Sequence, residues 1–164
     1  MHPPGHTKTS QALWLIGLLA ATFAAAGIGS AATAASVTGW YQSLHRPTWH
    51  PPDWLFGPVW TVLYSLMAIA AWSVWRRTDW SAARGPLTWF AVQLALNVAW
   101  SVIFFVFRSP GAALAEILVL WLAIVATTVS FASRSTLAAW LMIPYLAWTT
   151  FAVALNAALW RLNS

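Results

Sequence analysis

Five long apolar stretches, separated by short polar or proline-rich intervals, fill nearly all of the chain after residue 12. They run Leu13–Ala35, Trp54–Trp75, Pro86–Phe107, Ala112–Phe131 and Leu137–Trp160. Trp54–Trp75, with 22 residues, rises about 33 Å as an α-helix and matches a hydrocarbon core of about 30 Å. The pattern predicts an all-α integral membrane protein, a bundle of five transmembrane helices with one long ordered loop between helices 1 and 2. Residues 1–12 are polar and predict a loose tail, and 13–164 read as a single membrane domain. The small-residue runs Ala24–Ala26 and Ala32–Ala34 look like signal-peptidase sites, but the apolar run exceeds the usual ~7–15 residues, which favours a retained span.

Helical spacing sorts the faces. Gln93, Asn97, Trp100 and Phe104 form one stripe on the third span, and Ala91, Ala95 and Ala99 form another roughly 180° away. Amides are costly in hydrocarbon, so the first stripe is expected to face the interior or a cavity. The alanines let a second helix approach closely, either within the chain or at a homodimer interface. Trp60, Tyr64, Met67 and Ala71 share a face of the second span; Tyr145, Trp148, Ala152 and Asn156 share one of the fifth, where Pro144 loosens the backbone. Three helices thus offer aromatic walls with a few polar groups, which suits either a plain core or a small-molecule pocket. Arg108-Ser109-Pro110-Gly111 is a tight turn, with Ser109 placed to cap and Pro110 at the first helical position. Spans three and four are therefore antiparallel neighbours, as are four and five across 132–136.

Hydrophobic residues make up 60% of the chain and charged residues 7%, with a net charge of +5 and no cysteine. Every cation falls at a span end or between spans, so the charge marks membrane flanks and excludes a nucleic-acid face. Lys8, Arg76, Arg77, Arg84 and Arg134 fall on the amino-terminal side, against Arg46, Arg108 and Arg161 opposite, which favours the former as cytoplasmic. Disulfides and thiolate metal sites are excluded.

The stretch Trp40–Tyr64 departs from simple periodicity. Pro47, Pro51 and Pro52 exclude helix from its first half, while Asp53 stands where a helix N-terminus accepts a carboxylate. Trp40, Tyr41, Trp49, Trp54 and Trp60 crowd this junction, partly as interfacial aromatics would. The run Trp40-Tyr41, Arg46-Pro47, Trp49, Pro51-Pro52, Trp54, Phe56-Gly57-Pro58-Val59-Trp60-Thr61 and Tyr64 resembles the tryptophan-rich sensory protein family. That family is also called the translocator protein or peripheral-type benzodiazepine receptor (TspO/MBR) family. Gln93, Asn97, Trp100 and Phe104-Phe105 are similar to its third helix, and Pro144-Tyr145-Leu146-Ala147-Trp148 with Leu155-Asn156 to its fifth.

The resemblance implies a bacterial-type member in the cell envelope that binds porphyrins, sterols or benzodiazepine-like drugs inside the bundle. Carried over by position, the ligand site is Trp40, Trp49, Trp54, Trp60, Tyr64, Asn97, Trp100, Tyr145, Trp148 and Ala152. A porphyrin (protoporphyrin IX or haem) is the implied ligand, with no required cofactor and a lipid bilayer and a second copy as partners. The implied role is a receptor or carrier in tetrapyrrole traffic. The alternative is light-dependent protoporphyrin degradation, with Trp60 and Trp148 as the candidate catalytic residues. Ala157 replaces an aromatic of the family's sterol stretch, and Thr48 follows Pro47 where relatives often carry an aromatic.

Few residues support other chemistry. The acids are Asp53, Asp79 and Glu116, with no pair at helical spacing, and no Ser-His-Asp or metal constellation is present. Glu116 lies near a helix start, where it is expected to be solvated or paired with Arg108, with proton coupling in a small transporter as the alternative. His45 and His50 flank the loop and read as solvated, although either is able in principle to ligate a haem iron.

Overall fold

The computed structural model describes residues 6–164, the Ala35 side chain excepted. Six α-helices occur in order: α1 (Lys8–Val37), the short α2 (Trp40–Ser43), α3 (Phe56–Trp75), α4 (Trp80–Ser101), α5 (Pro110–Ala132) and α6 (Thr136–Asn163). All but α2 belong to segments long and apolar enough to cross a membrane, five in number. The protein is a multi-pass integral membrane protein, and its spans alternate in direction.

Several boundaries differ from those expected. The first helix begins at Lys8, so 8–12 is not tail; positions 1–5 lie outside the described residues. Thr7 explains the early start: its Oγ1 accepts from the Ser10 amide at 3.2 Å, while Ser10 Oγ donates to the Thr7 carbonyl at 2.9 Å. The third span starts at Trp80, with Pro86 in its interior. Asp79, in extended geometry, supplies the carbonyl that the Ala82 and Ala83 amides reach at 3.0 and 2.9 Å. The helix therefore has a full turn before Pro86, and only one i→i−4 bond is missing.

Trp40–Ser43 forms one helical turn before the prolines take effect, and the chain is non-helical from Leu44 to Pro52. Asp53 opens a 3₁₀ turn, Asp53–Leu55, without acting as a side-chain cap. Its carboxylate instead meets the Arg46 guanidinium at 3.3 Å. Ser109 makes no side-chain cap either; its carbonyl accepts the Ala113 amide at 2.9 Å. Arg108, at φ 50°, is the reversing residue.

After Ser101 the helix widens. The Phe107 amide reaches the Val102 carbonyl, five residues back, at 3.1 Å. Ser36 Oγ of α1 donates to the Phe105 carbonyl in this wide turn at 2.6 Å.

The core runs along α3, α5 and α6: Met67, Ala70, Ala71, Val74, Ile124 and Met142 are fully buried. Gln93, Asn97 and Phe104 turn inward, while Ala91 and Ala95 face outward and are exposed, with Ala99 half-buried.

Candidate functional site: an aromatic cavity under the first loop

A cavity of about 450 Å³ lies among α1, α3, α4 and α6, beneath the loop that joins α2 to α3. Its size falls in the range of small-molecule sites, about 300–1,000 Å³. Three indoles form its walls, Trp60 from α3, Trp100 from α4 and Trp148 from α6, joined by Phe56, Phe104 and Phe151. The rings brace one another. Phe56 stands edge-on to Trp148 at 5.8 Å, and Trp100 stacks on Phe104 at 5.3 Å. Such pairs add about 0.5–1.5 kcal/mol each beyond burial and fix the wall's shape.

Polar groups are few and mostly engaged. Tyr64 Oη donates to Asn97 Oδ1 at 2.6 Å, and Asn97 Nδ2 donates to Tyr145 Oη at 3.1 Å. Trp100 Nε1 donates to Asn156 Oδ1 at 3.1 Å, and Asn156 Nδ2 to the Pro110 carbonyl at 2.8 Å. These bonds meet the demand that amides in hydrocarbon find partners. Neither the Trp60 nor the Trp148 indole N–H has a protein acceptor among the described residues, and both side chains line the cavity.

The roof carries the charge. Arg46 pairs with Asp53, donates to the Tyr41 carbonyl at 3.3 Å and lies 4.6 Å above the Tyr41 ring. Burial pushes the Tyr41 phenol up to about 12, with the Arg46 guanidinium opposing the rise. Burial and then the same guanidinium lower His50 below its usual 6.5. Tyr41 thus keeps its proton and donates it to neutral His50 Nε2, 2.7 Å away. At the loop's outer end the His45 amide donates to Asn163 Oδ1 at 2.9 Å, and Asn163 Nδ2 returns a bond to the His45 carbonyl at 3.0 Å.

Of the residues singled out from the sequence, Trp60, Tyr64, Asn97, Trp100, Trp148 and Ala152 line this space together. The other four lie outside its wall. Trp54 is 72% exposed, because the 3₁₀ turn after Pro52 swings it outward, and Trp49 is 49% exposed, edge-on to Phe151. Trp40 packs against the far side of Phe104, at 5.7 Å. Tyr145 is fully buried behind Trp60.

Sequence reasoning missed the contribution of α1. Ala26, Gly29, Ser30, Thr33 and Val37 line the cavity and follow one another at helical three- and four-residue steps. That small-residue face was the available signal. Glu116 also differs from expectation: both carboxylate oxygens are buried without a partner, and Arg108 is exposed. Among the described residues Arg46–Asp53 is the sole salt bridge.

The TspO/MBR family profile matches residues 17–161, which include all of the cavity wall. The chain belongs to the TspO/MBR family. It is 41% identical to the tryptophan-rich protein TspO of Archaeoglobus fulgidus over 152 residues, 93% of this chain and 98% of that one. It is 45% identical to the human translocator protein over 126 residues, 76% of this chain and 75% of that one. Similarity to the tryptophan-rich sensory protein of Cereibacter sphaeroides is 40% identity over 124 residues, 76% and 77% of the two chains. TspO/MBR membership agrees with the five-span architecture and with the multi-pass membrane location.

Proposed function

We propose that this protein is a membrane receptor or carrier for porphyrins and similar planar, largely apolar ligands, acting in tetrapyrrole sensing or traffic. The observation that carries the reading is the cavity's wall of three indoles with two unengaged N–H donors. Flat rings stack on flat rings, and an unpaired donor in an apolar site fixes orientation. The printed names of the relatives, translocator and sensory protein, agree with carriage or sensing. Protoporphyrin IX titrated in the dark into the purified protein is expected to quench tryptophan fluorescence saturably, and Trp60→Ala to weaken that binding at least tenfold. Unsaturable quenching, or unchanged affinity in the variant, would overturn the reading.

A second reading is supported by the presence of Trp60 and Trp148 in one wall: light-dependent degradation of a bound porphyrin, with an indole donating an electron to the excited ring. Loss of the porphyrin band under light but not in darkness, abolished in Trp148→Phe, distinguishes it from binding alone. The outward Ala91, Ala95 and Ala99 face of α4 is our proposed contact for a second copy. Ala95→Phe is expected to shift the oligomeric state in detergent toward monomer.

A further inference from the structure

We propose that ligands reach the cavity sideways from the bilayer, through a slit between the loop-side halves of α1 and α3. This rests on the ligand-binding reading above and narrows its ligand class to amphiphiles that first dissolve in the membrane.

The slit follows from how α1 divides its attachments. Toward its amino-terminal end it is tied to α3: Trp72 Nε1 donates to the Gln11 carbonyl at 3.0 Å, Trp14 stacks on Trp75 at 4.8 Å, and Phe23 meets Tyr64 at 6.4 Å. Toward the loop it is tied to the third span instead. A methyl group at Gly29 would sit 3.2 Å from Ser101 Oγ, and Ser36 is bonded to the wide turn at Phe105. The helix thus leaves α3 as it approaches the loop.

Where the two helices part, residues on both sides are at once cavity-lining and exposed: Ser30 on α1, and Gly57 and Thr61 on α3. An exposed residue that also lines an internal space marks a mouth. The edges are made of small side chains, with Ala26 and Thr33 completing the α1 side. Thr33 and Thr61 spend their hydroxyls on their own helix, on the Gly29 and Gly57 carbonyls at 2.8 and 2.9 Å. Facing lipid therefore strands neither donor. Ser30 is two turns from the end of α1 and Thr61 about two turns from Asp53, which places the mouth below the headgroups and inside the hydrocarbon.

The aqueous side is fastened by contrast. Arg46–Asp53, Tyr41–His50 and the paired His45–Asn163 bonds hold the loop over the cavity. A flat molecule with an apolar body is admitted edge-on from the leaflet, while a water-borne polar one meets a closed roof.

The absence of native cysteine makes a direct test possible. Ala152→Cys places a thiol on the cavity wall. In proteoliposomes, an apolar membrane-partitioned maleimide is expected to label it at least tenfold faster than a charged, membrane-impermeant one. Adding Thr61→Trp, or separately Ser30→Trp, is expected to slow the apolar reagent at least tenfold while helical circular dichroism is unchanged. His45→Gly, which loosens the roof but not the slit, should leave that rate unaltered. Faster labelling by the charged reagent, or an unchanged rate in whichever Trp variant folds, would overturn the proposal. These outcomes need no porphyrin, so they separate failure of the route from failure of the binding reading.

Discussion

The Tyr64 hydroxyl and the Asn97 amide, from α3 and α4, are joined at 2.6 Å on the cavity wall, and the same amide donates onward to Tyr145 of α6. One side chain thus fastens three spans. Tyr64→Phe leaves one carbonyl of that amide without a donor, and is expected to destabilise by roughly 0.6–2 kcal/mol. Asn97→Leu strands two phenols in apolar surroundings and should cost more than Tyr64→Phe. Thermal or denaturant unfolding in detergent measures both; equal losses would show that the three groups do not act as one unit.

His50 makes the roof sensitive to acid. Its pKa in the folded loop is lowered by burial and by Arg46, so the loosened loop takes up a proton more readily than the closed one. The stabilisation is complete above the ordinary value of 6.5 and is lost as pH falls below it toward the depressed folded value. A protonated Nε2 also no longer accepts from Tyr41. Hydrogen exchange across Leu44–Pro52 is expected to quicken between pH 7 and pH 5, and His50→Gln to flatten that dependence.

Asn163 fixes the start of the loop to the end of α6 by two bonds to the His45 backbone. Asn163→Ala is expected to weaken loop closure by about 1–2 kcal/mol, a net value for two such bonds. Exchange should then rise in Leu44–Pro52 while the amides of α3 and α4 keep their protection. Uniform loss of protection would mean that the latch supports the whole bundle.

Glu116 presents two buried oxygens to an environment that offers them no partner. An ionised or half-satisfied carboxyl there opposes folding, so Glu116→Leu is expected to stabilise the protein by about 1–3 kcal/mol. A fall in stability would reveal a partner for the carboxyl. If Glu116→Leu also abolishes proton-gradient-dependent flux in liposomes, the residue serves transport at the expense of stability.

The periodic parts of the molecule were legible before the coordinates. Gln93, Asn97 and Phe104 declared their inward face because amides and rings at four- and three-residue steps leave no cheaper arrangement in lipid. The wall residues Trp60, Trp100 and Trp148 share such stripes, and the family resemblance drew them together. Trp49 and Trp54 were misplaced because resemblance carries residue identity but not the turn after Pro52, which decides where a ring points. Pro86 was read as a helix start, since a proline at the first turn and one within a helix look alike in sequence; the bonds at Asp79 distinguish them. The small-residue face of α1 was visible but silent, because glycine and alanine signal close approach without saying to what.

The wide turn at Val102–Val106 holds one more residue per loop of backbone than the helix before it. The third span is therefore a helix that has absorbed a single-codon insertion in place, and its length is adjustable at that spot alone. Deleting Ile103 should restore regular winding there and swing everything beyond it, Arg108 included, by about 100°. Ser36 would then face a different carbonyl, and the far end of the first helix would lose its anchorage. A one-residue change in length, conservative by any measure of composition, would loosen the hinge post on which the lateral mouth is hung.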